Sequence, residues 1–590
     1  MSNIKENWDL TLLYKNEKDP QIEKDLKEIE KSYTAFAKKY KGKDFISNPK
    51  ILLQALQDRE ELRKIADSSK PWWYMALRTS IDTGDAVAGA ESTKFSQRIT
   101  KAENLLAFFS LEIAKISKKN QVLFLKDPLL KDFKYSLQRT FKRSSYNLSE
   151  PEEQIINLLS QTSYDMWKNS FSKVIGQATL EYKGSHIPFP KAIGILSDQS
   201  KKDREELYKK IVEVQKLNSS FAESEINALY NYKKIIDEKR GFPEPYSSTI
   251  LSYENDSKTV LNLIDLVTKN FKISHRFFKI HARLLKEKKI TMADRAAKIG
   301  EITKKFDFKS SIQIVKAAFT KIDPKYADLL DSYLSHGQID VYPTKGKRGG
   351  AFCWGRGQLP TFVLLNHADN INSVETLAHE MGHAIHTELT KALPPRYSHY
   401  SMSTAEVAST FFEQATTAEI EKQLTEKENL ILLHNKILGD IATIFRQVAC
   451  FNFELELHKQ IREKGEISNG DMATLMSKHL KSYVGDAVEV TQDDGYQFVS
   501  WGHIRNFFYV YSYAYGLLIS RALYENWEKD KSYSKKIEQF LSAGRSMSPE
   551  DIFKKIGINV TDPSFFESGL KSIEKDILKL ERLEQRIHKA

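Results

Sequence analysis

Cysteine is almost absent from this chain of 590 residues, which holds only Cys353 and Cys450. Two thiols exclude a disulfide framework and suit a reducing compartment. Glycine and proline are scarce as well, 25 and 16 residues, about 7 per cent together against a usual 12. A chain so poor in turn formers reads as mostly helix with few loops. It contains no run of 18 apolar residues, which leaves no membrane-spanning helix to expect. Its first residues, MSNIKENWDL, lack the apolar stretch of a secretory signal. A cytoplasmic protein without a membrane partner is therefore expected. Charge of one sign is not concentrated either: 89 Lys and Arg stand against 78 Asp and Glu, a net +11. The two signs interleave along helices, and no aromatic-basic module of a nucleic-acid binder occurs. The excess reads as solvated surface, with a mild attraction for acidic peptides.

What is present is helical periodicity. Apolar residues recur three or four apart among Lys and Glu over residues 19–40, 50–66, 93–118, 201–239, 257–288 and 564–588. Only Thr179–Pro190 and Ile339–Leu365 read as β. No linker, internal repeat or low-complexity tract divides the chain. The expected organisation is an N-terminal helical region over 1–125, a small α+β lobe over 126–200 packed on it and a helical domain over 201–590, with soft boundaries.

The segment that carries chemistry is His379-Glu380-Met381-Gly382-His383, the H-E-x-x-H pattern. On a helix, residues four apart project from one face one turn apart, so both imidazoles can bind one Zn²⁺. Glu380 is turned about 100° from His379 and reaches toward a metal-bound water as a general base. Val374, Leu377, Ala378, Met381 and Ile385 supply apolar positions at helical spacing, and Pro394 and Pro395 close the segment. Asn372 is the expected cap, with Glu375 reaching back in a capping box. Gly382 costs a helix interior roughly 1 kcal/mol relative to Ala, which points to a close approach to the backbone or a tight helix crossing.

A third ligand has to come from elsewhere. The metzincin pattern fails, because His386 takes its glycine position and Leu389 the place of its third His. Glu388 lies about 140° away from the face of His383. A second helical segment, Ser403–Leu424, offers Glu406 and Glu413, either of which completes a His₂Glu site with a fourth position left for water. Upstream, glycines concentrate between residues 336 and 367. A Walker loop is excluded there, since Val341 stands where its first Gly belongs and Arg348 where Ser or Thr belongs.

LAHEMGHAIH over 377–386, followed by AEVASTFFE over 405–413, resembles the zinc-binding core of the oligoendopeptidase F family, relatives of the thimet-type oligopeptidases. The resemblance selects Glu406, which Ser409 follows three residues on, as the metal ligand, and implies that Glu413 orients a ligand. GKRGGAFCWG over 346–355 with PTFVLLNH over 360–367 is similar to the family's glycine-rich loop and edge strand, and an edge strand can pair with an extended peptide. WGHIRNFFYVYSYAYG over 501–516 resembles its His and Tyr segment, which implies His503 as a donor to the oxyanion of the transition state. Among the tyrosines, Tyr509 and Tyr513 share a helix face and Tyr511 lies nearly opposite, so Tyr509 and Tyr513 are chosen. NWDLTLLY over 7–14 is also family-like and reads as an anchor for the N-terminus.

The resemblance implies a mainly α, zincin-type catalytic domain with a small β-sheet, helical lobes enclosing a deep central channel, one Zn²⁺ per chain, and oligopeptide substrates cut at internal bonds. A zinc carboxypeptidase or dipeptidyl carboxypeptidase is the nearest alternative. It needs a basic residue to hold a free carboxylate, with Arg348, Arg356 and Arg505 as candidates. A non-catalytic helical binding protein is the second alternative. The sequence leaves monomer or homo-oligomer undecided.

Overall fold

The scarcity of glycine and proline becomes a chain that is 72 % helical in the computed structural model, which describes residues 4–66 and 69–589. The helix Pro20–Tyr40 shows how the sequence builds these elements. Asp19 caps it by accepting from the Gln21 N–H, and Pro20 occupies the first turn, where its missing N–H costs nothing. Ile22, Leu26, Ile29, Tyr33, Phe36 and Tyr40 fall on one face and are buried. Lys38 and Lys39 sit at the negative end of the helix dipole.

Three of the expected long helices are interrupted. Residues 93–118 divide between Ala86–Asn104 and Ala107–Ala114, 201–239 between Lys201–Leu217 and Ser219–Arg240, and 257–288 between Ser257–Lys269 and Phe271–Leu284. The last two breaks share a cause. Asn218 and Asn270 each turn the side-chain amide back onto the carbonyl four residues earlier, Val214 and Leu266, at 2.8 and 2.9 Å. That local bond competes with the backbone ladder and ends the helix.

Contacts divide the chain into two units, each assembled from separate pieces: Met1–Asn147, Lys304–Gln423 and Leu523–Ile558 in the first, Leu148–Thr303, Leu424–Ala522 and Asn559–Ala590 in the second. A linear division at 125 and 200 is not the division between these units.

The first unit holds a three-stranded sheet in which Phe362–Leu364 lies in the middle, parallel to Ile339–Asp340 and antiparallel to Phe352–Trp354. The edge strand is thus Phe352–Trp354, out of the glycine-rich segment. The 360–367 stretch, expected at the edge, is central because its three strand residues are apolar and fully buried. Trp8 anchors the N-terminus on this sheet: its indole N–H donates to the Val363 carbonyl at 2.8 Å and its ring packs edge-on against Phe362.

In the second unit, Thr179–Tyr182 and Ser185–Pro188 form a hairpin through Lys183 and Gly184, both at positive φ, the turn whose twist matches paired strands. A parallel pair, Ile290–Thr291 with Val488–Glu489, was not expected. Two residues per strand are too few for an alternating pattern to register. No helix among the described residues is long and apolar enough to cross a membrane.

Candidate metal centre

The helix carrying the H-E-x-x-H motif runs from Ile371 to Thr390. Its cap is Asn370, not Asn372: the Asn370 side chain accepts from the Ser373 N–H at 3.0 Å. The Ser373 hydroxyl bonds to Asn370 and accepts from the Ala368 N–H, so the turn closes two residues earlier than a capping box would place it. Glu375 instead accepts from the Thr417 hydroxyl at 3.2 Å on the neighbouring helix, Met402–Glu421. Val374, Leu377, Ala378, Met381 and Ile385 are all fully buried.

Gly382 explains how the two helices meet. A Cβ there would stand 2.7 Å from the Ser409 Cα and 3.3 Å from the Ala408 carbonyl oxygen. The helices cross backbone against backbone at this residue, and the crossing brings Glu406 to the motif. Nε2 of His379 lies 3.6 Å from Oε2 of Glu406, and ligand atoms of His379, His383 and Glu406 all fall within 4.8 Å of one another. The two imidazole rings stand 4.9 Å apart at 82°. Glu413 accepts the Nδ1–H of His379 at 2.9 Å, which leaves Nε2 as the nitrogen directed into the cluster, free to ligate once it gives up its proton. Glu388 takes no part, since it accepts from Tyr333 and Lys391.

The electrostatics describe a place that demands a cation. Burial opposes charge on His379, but its bond to Glu413 and the carboxylates of Glu380 and Glu406 outweigh that cost and hold it up at about 9. His383 is driven the other way, well below its ordinary value, by burial and by the charge of His379. Burial raises Glu380 to about 7, reinforced by Glu406 and Glu413 and opposed by His379. Two imidazoles and a carboxylate are the donor set that zinc prefers, and a divalent ion answers the same demand that a proton on His379 answers here. The residues fit the metal.

One partner of Glu380 was invisible in the sequence. The Cys353 N–H, on the edge strand, donates a hydrogen bond to its carboxylate. Burial pushes the Cys353 thiol itself well up. His386 is lowered to about 3 by burial and stacks on Tyr400 at 3.8 Å, a packing role.

His503, Tyr509 and Tyr513 belong to the second unit and gather there. Nε2 of His503 lies 3.3 Å from the Tyr513 hydroxyl, the hydroxyls of Tyr509 and Tyr513 touch, and the rings of His503 and Tyr509 stack at 5.6 Å. Tyr509 and Tyr513 do not share a helix, however. Gly502–Asn506 is a 3-10 turn, Phe507 and Phe508 take positive φ, and the helix begins only at Tyr511. The Phe508 N–H is drawn to the buried Glu454 carboxylate at 2.8 Å, a tertiary bond that overrides local periodicity. Tyr511 points away, to Asn255 at 2.9 Å, and Tyr515 packs against Phe566. Burial and the Arg446 guanidinium lower His503, so its imidazole is neutral.

Of the arginines considered as carboxylate anchors, Arg505 is committed elsewhere. It is fully buried, paired with Glu225 at 2.8 Å, and donates to the Phe498 and Trp501 carbonyls. Arg348 lies over the Phe352 ring, and Arg356 over the Trp72 ring.

A helical chain with a two-histidine, one-glutamate cluster beside a buried carboxyl has the makings of a metallopeptidase. Comparison with known proteins agrees: the chain belongs to peptidase family M3, whose model matches residues 195–572, and residues 112–177 match the Oligopeptidase F model. Oligopeptidase PepF of Bacillus subtilis strain 168 is 25 % identical over 562 residues, covering 92 % of this chain and 82 % of that protein. An oligoendopeptidase F homolog of Borreliella burgdorferi is 25 % identical, covering 96 % of each. The fold matches a crystallised peptidase candidate from Chlamydophila abortus with a TM-score of 0.85, 22 % identity and 98 % of each chain covered. The chain is thus a peptide hydrolase, a metallopeptidase, and not a binding protein that merely contains the motif.

Proposed function

We propose that this peptidase is a zinc-dependent endopeptidase that cuts internal bonds of short oligopeptides, with His379, His383 and Glu406 holding the ion and Glu380 as general base. The observation that carries the reading is the gathering of three donor atoms within 4.8 Å beside a carboxyl poised near neutrality. Zinc held there supplies Lewis-acid polarisation of a peptide carbonyl and lowers the pKa of water toward neutrality.

The chain's own residues do the rest. Glu380 removes the proton from the attacking water and hands it to the leaving amine. The Cys353 N–H fixes the direction of that carboxylate. Glu413 keeps His379 in the tautomer that ligates. His503, Tyr509 and Tyr513 are assigned to the developing oxyanion, since preorganised donors act where charge builds. What supports that assignment is their clustering and the neutral state of His503. A cytoplasmic setting, with no nucleic-acid or membrane partner, belongs to the same reading.

The test uses a ten-residue quenched fluorescent peptide blocked at both ends. Wild type should cut it, and Glu380→Gln should retain zinc while losing turnover by at least a hundredfold. Failure of wild type to cut any peptide lacking free termini would instead favour a carboxypeptidase or dipeptidyl carboxypeptidase.

A further inference from the structure

The second unit contains a cavity of about 700 Å³, a volume suited to a small ligand or a few peptide residues. Its wall includes His503 and Tyr509. It also includes Arg295, Arg446 and Lys168, while no carboxylate of the described residues lines it. The fourth cation of the wall, Arg505, is neutralised by Glu225.

Arg446 is the informative residue. Its guanidinium lies 4.1 Å above the Trp501 ring, and its Nε is buried without a hydrogen-bond partner. Arg295 is close enough to repel it, and burial together with that repulsion depresses Arg446 to about 10. Two like charges converging on a cavity, one with a buried donor unsatisfied, are an unfavourable arrangement that an anion would relieve. Two acids of the same chain segments are already engaged. Asp494 accepts from Tyr208 and Thr491, and Asp294 accepts from Arg204. Lys168 donates to the Asn506 amide oxygen at 2.6 Å. Beside the cations the wall carries neutral polar side chains such as Gln215 and Gln497 together with the apolar Ile193, Leu196 and Met292.

We infer that this cavity is a subsite for a peptide carboxylate, with Arg446 and Arg295 as its anchors and the apolar residues of the wall beside them taking the adjoining side chain. The inference rests on the peptidase reading, because His503 and Tyr509, assigned there to the substrate, share the cavity. The carboxylate has two sources, a free C-terminus or an Asp or Glu side chain. A guanidinium forms two parallel bonds to either. The subsite adds affinity for acidic or carboxyl-ended peptides without making a free terminus obligatory.

The experiment measures binding rather than turnover, so that its failure is distinct from failure of the peptidase reading. Zinc-loaded Glu380→Gln protein is titrated calorimetrically with one hexapeptide in three forms: free C-terminus, C-terminal amide, and amide with a terminal Asp added. Charge-assisted bonds predict that at least one carboxylate form binds about tenfold to a hundredfold more tightly than the plain amide. Whichever form gains identifies the source. In Arg446→Met and, separately, Arg295→Met, the ratio of carboxylate to amide affinity should fall toward one, and Arg446→Lys should retain part of it. Because each readout is a ratio within one protein, a fold defect does not mimic it. Equal affinity for all three forms, or a ratio unchanged in both methionine variants, would overturn the inference.

Discussion

Glu413 accepts the Nδ1–H of His379 at 2.9 Å, and this single hydrogen bond decides which nitrogen of the imidazole is free to bind a metal. The residues lie 34 apart in the chain, on two helices that cross at Gly382. Removing the acceptor frees the ring to rotate and to exchange tautomers. Glu413→Ala should weaken zinc binding about tenfold to a hundredfold while leaving the three ligands in place. Competition against a chelator of known affinity measures it; an unchanged affinity would mean that Glu413 has no orienting role.

Gly382 predicts a coupled loss of stability and metal. A methyl group at this position would lie 2.7 Å from the Ser409 Cα, so the helices must separate. Overpacking of this kind costs about 1–3 kcal/mol. Gly382→Ala should lower the melting temperature, and it should weaken zinc binding too, since Glu406 rides on the displaced helix. Gly439, where an added Cβ meets nothing within 4 Å, is the control.

Glu454 makes stability depend on pH. Burial holds its carboxyl up at about 8, against about 4.3 in an unfolded chain. Its folded pKa is raised, so the folded state has its full stability below about pH 4.3 and loses it as pH climbs toward 8, where the unfolded chain alone is ionised. The loss is on the order of 5 kcal/mol. Glu454→Gln keeps an acceptor for the Phe508 N–H and removes the titration. Melting curves should show this variant more stable than wild type at pH 8, with the difference closing by pH 4. A pH-independent difference would contradict the buried neutral acid.

Metal loading should release protons. His379 carries a proton at neutral pH when its carboxylate neighbours have no other cation, and a ligating imidazole cannot. Zinc added to chelator-stripped protein at pH 7.5 in weak buffer should liberate about one proton per ion. Calorimetry in two buffers of different ionisation enthalpy detects it; a binding heat independent of buffer would show His379 already neutral.

The limits of sequence reading follow from the range of the forces involved. His379 and His383 are paired by helical geometry alone, and four-residue spacing is enough to state it. Their meeting with Glu406 depends on a helix crossing for which Gly382 was a hint but not a direction. The cap was misplaced by two residues because Asn370 and Asn372 are chemically identical, and only the fold of the Ala368–Ser373 turn separates them. Tyr509 looked helical since its spacing from Tyr513 is four, yet a tertiary bond from Phe508 to Glu454 delays the helix to Tyr511. The Cys353 N–H on Glu380 is a backbone group and has no signature in residue type. The cavity of the second unit gathers Arg295, Arg446 and His503 from distant stretches, so no local pattern foretold it.

The central claim is that two imidazoles and one carboxylate, drawn from two crossing helices, bind a single zinc ion. Zinc-edge X-ray absorption of the loaded protein reads it most directly. The account predicts two imidazole nitrogens and oxygen donors at about 2.0–2.2 Å, with one oxygen donor lost in Glu406→Ala. A sulfur shell at about 2.3 Å, or a spectrum unchanged in Glu406→Ala, would contradict it.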